Sequence, residues 1–381
     1  MSDEMSQPTV SLVTTDWAPA FPRIARWLGS GLRDLGVRAD IVHLGGPRSV
    51  SRNGSCREIR LGSQRARSAL LPLAHYLQHE APLLTIATPG GIGMLALLAG
   101  RLGRQAVVPW EATIPRLDAP DIPLRLRPLR WTMPFFYRAA PRVAAVSEAV
   151  RDALVKDLMG RVPPEHVVVL PNPLDSDEVR RLSTPPAPRS RGLRICAVGR
   201  LCNAKGFDVL IDALALARRR LGPSWEALVI GDGLLRADLE ARARRARLDD
   251  HVFFMGMREN PYPLLASADI AVQPSRWEGF SLAMGEALCL GVPLVTTTCP
   301  GGYQEVLDGG RFGVLVPPDD AAALAEAITA LAEDGERRRD LSEQGAQRMC
   351  AYTPVRTAER LLRLVTEIGA ERGLTVSDSR M

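Results

Sequence analysis

Short β-branched runs alternate with amphipathic helical stretches from one end of this chain to the other. In the first half the runs are "TVSLVT", "RADIVHL", "LLTIAT", "QAVVPW", "RVAAVS" and "HVVVL". In the second they are "LRICAVG", "EALVIG", "HVFFMG", "DIAVQPS", "VPLVTTT" and "GVLVP". Between them lie patterns such as "GFDVLIDALALARRRL", in which Phe207, Leu210, Ile211, Leu214 and Leu221 share one face of a helix. A strand followed by a helix returns parallel to its predecessor, so the alternation implies parallel sheets covered by helices on both sides.

The chain's 381 residues suffice for about two such domains. The stretch "STPPAPRSRG", 183–192, can hold neither strand nor helix and reads as a linker. The expected architecture is two Rossmann-like, doubly wound domains facing each other across a cleft, residues 1–185 and 186–355. A last helix in 356–381 is expected to pack back on the N-terminal domain, ahead of a frayed tail.

Hydrophobic residues at 46% and charged residues at 24% fit a soluble globular protein. No apolar run is long enough to span a bilayer and the first residues, "MSDEMSQPTV", are acidic and polar, so a cytoplasmic protein is expected. The six cysteines form no C-x-x-C pair and none is near a histidine at zinc spacing. His75 and His79 have helical spacing, but "HYLQH" lacks the glutamate of a zinc-protease helix, so no metal site is expected. The net charge of +5 is carried by arginine, with Lys156 and Lys205 the only lysines. Basic residues interleave with aromatics in "LRLRPLRWTMPFFYRAAPR", 124–142, which reads as a solvated basic face or a peripheral membrane contact. No nucleic-acid motif accompanies that charge.

Ligands of open parallel sheets sit where strand carboxyl ends lead into helix N-termini. In "VGRLCNAKGF", Gly199 frees the backbone after a strand, and Arg200 and Lys205 flank the helix start. Two cations beside positively polarised amides suit a doubly charged anion such as a diphosphate. In "RWEGFSLAMGEAL", Glu278 stands in a turn, and Glu286 follows with seven residues between them. A helix from Ser281 puts Leu282, Ala283, Cys289 and Leu290 around Glu286, all apolar. A carboxylate there needs a structural cation or a ligand's hydroxyls. A nucleotide sugar, with hydroxyls on either side of a diphosphate, fits two acceptors straddling a helix N-terminus.

These segments, with "VSEAVRDALV", "VVVLPNPLD", "LVIGDG", "GVPLVTT" and "GGYQEVLDGGRFGVLVPPDD" in order, resemble retaining glycosyltransferase family four, which has the GT-B fold. The resemblance spans the chain and is strongest over 193–318. It implies that Arg200 and Lys205 hold the donor diphosphate and that Glu278 touches the donor sugar. It implies that backbone around Gly279, Phe280, Ser281 and Leu282 closes on sugar and phosphate, and that Glu286 binds the ribose. Gly231 and Asp232 would line the same cleft, with Met257 and Arg258 near the base. The donor would be a nucleotide-diphosphate sugar, a UDP-sugar favoured, and the acceptor a hydroxyl, on a small natural product or on a polysaccharide or lipid-linked glycan. No cofactor or metal is implied.

The chain departs from the family in its first half. The usual glycine-rich first loop is replaced by "TTDWAPAFPR", and Glu111 in "VVPWEAT" stands where many relatives carry a histidine near the reacting carbon. Gly91, Gly93 and Ala96 mimic a dinucleotide fingerprint with Glu111 beyond, but they fall on the third strand–helix unit rather than at a domain's start. A sugar-nucleotide epimerase could share the fold; the Glu278/Glu286 pair argues for the retaining class.

Overall fold

A computed structural model describes residues 8–15, 20–53, 56–63, 65–88, 90–114, 131–158, 161–189 and 192–371. The first loop, 16–19, and the basic run up to residue 130 lie outside the described residues. The chain divides into two compact units.

The first unit takes in residues up to Leu174 and resumes at Tyr352. Its strands are β1 (Thr9–Thr14), β2 (Arg38–His43), β3 (Ser49–Asn53), β4 (Cys56–Arg60), β5 (Leu84–Ala87), β6 (Val107–Glu111), β7 (Val143–Ala145) and β8 (Val167–Val169). They form one sheet in the order β3-β4-β2-β1-β5-β6-β7-β8. Every pairing is parallel except β3 with β4, an antiparallel hairpin at the edge that pairs Asn53 with Cys56. The helix Pro354–Glu371 belongs to this unit and packs on the helix Ala20–Asp34. Gly31 permits the approach: a Cβ there would lie 2.2 Å from the Pro354 carbonyl oxygen.

The second unit, Asp175–Ala351, contains β9 (Leu193–Val198), β10 (Trp225–Ile230), β11 (Val252–Gly256), β12 (Ile270–Gln273), β13 (Leu294–Thr297) and β14 (Val314–Val316). All pairings between these strands are parallel, in the order β11-β10-β9-β12-β13-β14. The chain starts in the middle, builds outward to β11, then returns to β9 and builds the other way. The reversal between β9 and β12 opens a crevice at their carboxyl ends. The helix Phe207–Leu221 covers one face, burying Phe207, Leu210, Ile211 and Leu214, as its apolar spacing requires.

The units change over at Leu174/Asp175 and Ala351/Tyr352, not at 185/186 and 355/356. The proline-rich stretch expected to link the domains is a strap on the second unit. Its prolines cannot donate, but its other polar groups are paired: Pro188 O accepts from Arg194 at 2.8 Å, and Ala187 N–H donates to Pro263 O at 2.8 Å. Arg194 itself is buried and paired with Glu226.

Candidate active site

The expected donor-site residues collect at the carboxyl ends of four adjacent strands, β11, β10, β9 and β12. Glycine brings the first three strand ends into backbone contact. Gly231 has φ 143°, and a Cβ there would lie 1.9 Å from Gly199 O, so no other residue fits. Gly199 N–H donates to Ile230 O and Gly231 N–H to Gly256 O, each at 3.0 Å. Asp232 follows, half-buried, accepting from Gly233 N–H and from Arg236. Those two donors, the amide foremost, hold its carboxyl below the usual aspartate range. Met257 and Arg258 follow β11 and are exposed.

The crevice between β9 and β12 carries the charge. The loop after β9 runs through exposed Arg200 and a short 3-10 turn, Asn203–Lys205, into Gly206. Gly206 has φ 61°, and a Cβ there would lie 2.0 Å from Pro274 O, so the two loops touch through backbone. From the other side comes Glu278. Its Oε1 accepts from Lys205 Nζ, from Gln273 Nε2 at 2.9 Å and from Ser275 Oγ at 2.7 Å. The side chains of Lys205 and Glu278 are 18% and 14% exposed, so the pair is reachable yet shielded. One carboxylate oxygen thus receives three protein donors, and Oε2 has no protein hydrogen bond among the described residues. Beneath it, burial and the Glu278 charge push the Cys299 thiol up to about 11, which keeps it protonated and inert.

Gly279 and Phe280 lead to Ser281, the N-cap of the helix Leu282–Cys289, whose hydroxyl accepts from Met284 N–H. Glu286 lies inside that helix, 2% exposed. The expectation left a structural cation or a ligand as its partner. A neutral group, the buried Tyr262 hydroxyl, donates to its Oε1 at 3.2 Å.

Sequence reasoning overlooked the residues that hold these groups. Gln273 and Ser275 lie on or beside β12 and orient Glu278. Arg276, between them and Glu278, binds the β9 loop. Asp319 pairs with Arg276, and Asp320 caps the helix Ala321–Glu333. For Gln273, Ser275 and Arg276 the only sequence signal was proximity to Glu278; for Asp319 and Asp320 it was a position just before a helix.

Glu111 belongs to the other unit. It ends β6, is 2% exposed, and accepts from the fully buried Tyr137 hydroxyl. Burial and the Glu111 charge raise that phenol well above its usual range. Among the described residues no group of three or more His, Cys, Asp or Glu is placed to hold a metal ion, and no helix is long and apolar enough to cross a membrane.

Residues 192–334 match the sequence profile described as glycosyl transferases group 1, and residues 22–178 that of glycosyltransferase family 4. Together these take in most of the chain, which belongs to glycosyltransferase family 4 and has the GT-B fold. The chain is 30% identical over 203 residues to the lipopolysaccharide core biosynthesis mannosyltransferase LpsB of Rhizobium meliloti, covering 51% of this chain and 56% of the relative. It is 29% identical over 175 residues to the alpha-D-kanosaminyltransferase of Streptomyces kanamyceticus, 45% of each. The chain thus spans about half the length of the curated relatives it matches. Anabaena HepE in complex with UDP-glucose superposes with a TM-score of 0.73 at 17% identity, covering 94% of this chain and 99% of that one.

Proposed function

We propose that this chain transfers a hexose-type sugar from a nucleotide-diphosphate sugar, a UDP-sugar, to an acceptor hydroxyl with retention of anomeric configuration. The observation that carries this reading is the shielded Lys205–Glu278 pair across the β9/β12 crevice, with Arg200 exposed beside it and Glu286 in the following helix. Lys205 and Arg200 take the diphosphate, the free oxygen of Glu278 the sugar hydroxyls, and Glu286 the ribose. The acceptor oxygen bonds to the anomeric carbon on the face from which the diphosphate leaves. The carbon–phosphate-oxygen bond breaks, and the acceptor's proton passes to a departing phosphate oxygen. Stabilising the charge that develops there is the main catalytic term. HepE, whose structure holds UDP-glucose, supports the choice of donor.

The acceptor is a small natural product. A second reading, a lipid-linked glycan at a membrane surface, is favoured by one face of the first unit. There Trp131 and Phe135 are 64% and 69% exposed, and Leu98 and Leu102 protrude from the helix Gly90–Gly103. A groove of about 290 Å³ lies between Phe135 and Leu98, with Arg101 on its wall, and Arg161 stacks over Phe135. Apolar rings beside arginines suit an anionic lipid surface.

The test is transfer from a panel of UDP-, GDP-, ADP- and dTDP-sugars to soluble and vesicle-borne hydroxyl acceptors, with the product anomer read by NMR. Inverted product, or no donor accepted, overturns the main reading. Equal co-sedimentation of wild type and a Trp131→Ser/Phe135→Ser variant with anionic vesicles removes the second.

A further inference from the structure

Arg276 grips the polypeptide on both sides of Lys205. Its backbone N–H donates to Ala204 O at 2.8 Å. Its Nη1 donates to Asn203 O at 2.8 Å and to Asn203 Oδ1 at 3.1 Å. Nη1 and Nη2 together fork onto the Asp208 carboxylate, at 3.0 and 2.7 Å. Nε donates to Asp319 at 2.6 Å. Asn203 and Ala204 are the two residues before Lys205, and Asp208 lies in the first turn of the helix after it. The Arg276 side chain is only 17% exposed, so the clamp is shielded from competing water.

We infer that Arg276 is a positioning residue, which fixes the Lys205 turn against the Glu278 loop so that the ammonium waits where the diphosphate will bind. Arg276 stands two residues before Glu278 in the loop after β12, and Lys205 stands in the loop after β9. Nothing in the local backbone of a short 3-10 turn dictates where its lysine points. The clamp supplies that, because a guanidinium offers several donors in one rigid plane, whereas an ammonium at 276 could not span Asn203, Asp208 and Asp319 together. A charge stabiliser works only if it is in place before charge develops. The catalytic meaning of the inference rests on the proposed transfer; its positional content does not.

The chain has only two lysines, and Lys156, in the first unit, is exposed. Reductive ¹³C-dimethylation therefore gives two lysine side-chain NMR signals, assigned by the loss of one in Lys205→Ala. Arg276→Ala should move the Lys205 signal towards that of an exposed lysine and leave the Lys156 signal in place. Asp208→Asn should do the same to a lesser degree, which keeps the test alive if Arg276→Ala folds poorly. Arg276→Lys should not restore the wild-type position. A Lys205 signal unmoved in both Arg276→Ala and Asp208→Asn overturns the inference.

Single-turnover transfer is the second measurement. Arg276→Ala should slow the step roughly ten- to a hundredfold in the wild-type background, the scale of a small misplacement. It should slow it by less than about threefold in Lys205→Ala, since a residue acting through Lys205 has nothing left to position. Equal factors in both backgrounds overturn the inference. If the wild type transfers no sugar, the proposed function fails while the NMR signals still decide the positioning.

Discussion

Glu278 and Lys205 are paired in the structure, and in the proposed transfer Lys205 gives up part of that pairing to a phosphate while Glu278 offers its second oxygen to the sugar. Glu278 keeps Gln273 and Ser275 on the same oxygen, so its carboxylate stays oriented when Lys205 turns to a phosphate. Lys205→Ala should therefore lower turnover on the order of a hundredfold or more, the scale of losing one preorganised charge stabiliser. Lys205→Arg should keep the charge yet lower turnover more than donor affinity, because a planar guanidinium cannot follow one oxygen as an ammonium does. Single-turnover transfer at saturating donor checks both; wild-type rates in Lys205→Ala would move the role to Arg200. With these cations in place, EDTA should leave transfer largely intact, and a loss reversed by magnesium or manganese would show the diphosphate site misassigned. Glu286 differs, being buried with a neutral tyrosine as donor. Glu286→Gln keeps an oxygen for Tyr262, so the fold should hold while nucleotide affinity weakens by roughly 1–3 kcal/mol. Calorimetry with the nucleoside diphosphate decides; unchanged affinity would leave Glu286 a structural partner of Tyr262. The two glutamates were legible in the sequence because a carboxylate among apolar or aromatic neighbours demands a reason. Arg276 was not, because the five acceptors of its side chain are supplied by residues up to 73 positions away, which the sheet brings to it from β9 on one side and from beyond β14 on the other.

At the scale of elements, every strand expected from β-branched runs is present, and the two that were missed explain the rule. β3 and β4, "SVSRN" and "CREIR", carry arginines; β3 is the edge strand, where one side need not be apolar, and β4 lies next to it. The Asn53-Gly54 dipeptide between them was the available hairpin signal. Helix starts were legible wherever a serine or aspartate precedes an apolar run, as Ser281 does. The helix Phe207–Leu221 starts differently, from left-handed Gly206 with no side-chain cap, and Asp208 in its first turn is bound to Arg276. Burial alone would raise the Asp208 carboxyl; the Arg276 hydrogen bonds and charge outweigh it and hold the group below its ordinary range. A carboxyl depressed on folding stabilises fully above its unfolded value, and that stabilisation is lost as pH falls through the folded one. Below about pH 4, where an unfolded aspartate protonates, the second unit should weaken faster in wild type than in Asp208→Asn. Urea denaturation between pH 6 and pH 3 measures this. Parallel curves for the two proteins would mean that the Arg276 clamp adds no stability.

Across the whole molecule, the chain leaves its first unit and returns to it at the end, and the two boundaries do not fall where the proline-rich text lies. Proline-rich text at 183–192 marks an irregular segment correctly, but irregular backbone can lie on a domain as well as between domains. The strap stays on the second unit because Arg194 and Pro263 satisfy its polar groups. The real crossings are short and adjacent: Leu174 N–H donates to Tyr352 O at 2.7 Å where the chain leaves the first unit and where it returns. What returns is the helix Pro354–Glu371, whose amphipathic face buries Leu361, Leu364, Val365 and Ile368 in the first unit. At about 1.5–3 kcal/mol for each large aliphatic side chain, those four contribute roughly 6–12 kcal/mol, an upper bound comparable with a domain's entire stability. The strands and helices of the first unit should therefore not hold without the last thirty or so residues. Deleting residues 353–381 should make 8–174 exchange amide hydrogens quickly and yield to protease, while 175–351 stays protected. Because the proposed nucleotide contacts all lie in the second unit, the truncated chain should still show protection of the 199–206 and 274–286 loops by UDP in hydrogen exchange, though it transfers no sugar. Protection of the first unit left intact by the deletion would show that its sheet is self-sufficient and that the returning helix is only a surface addition.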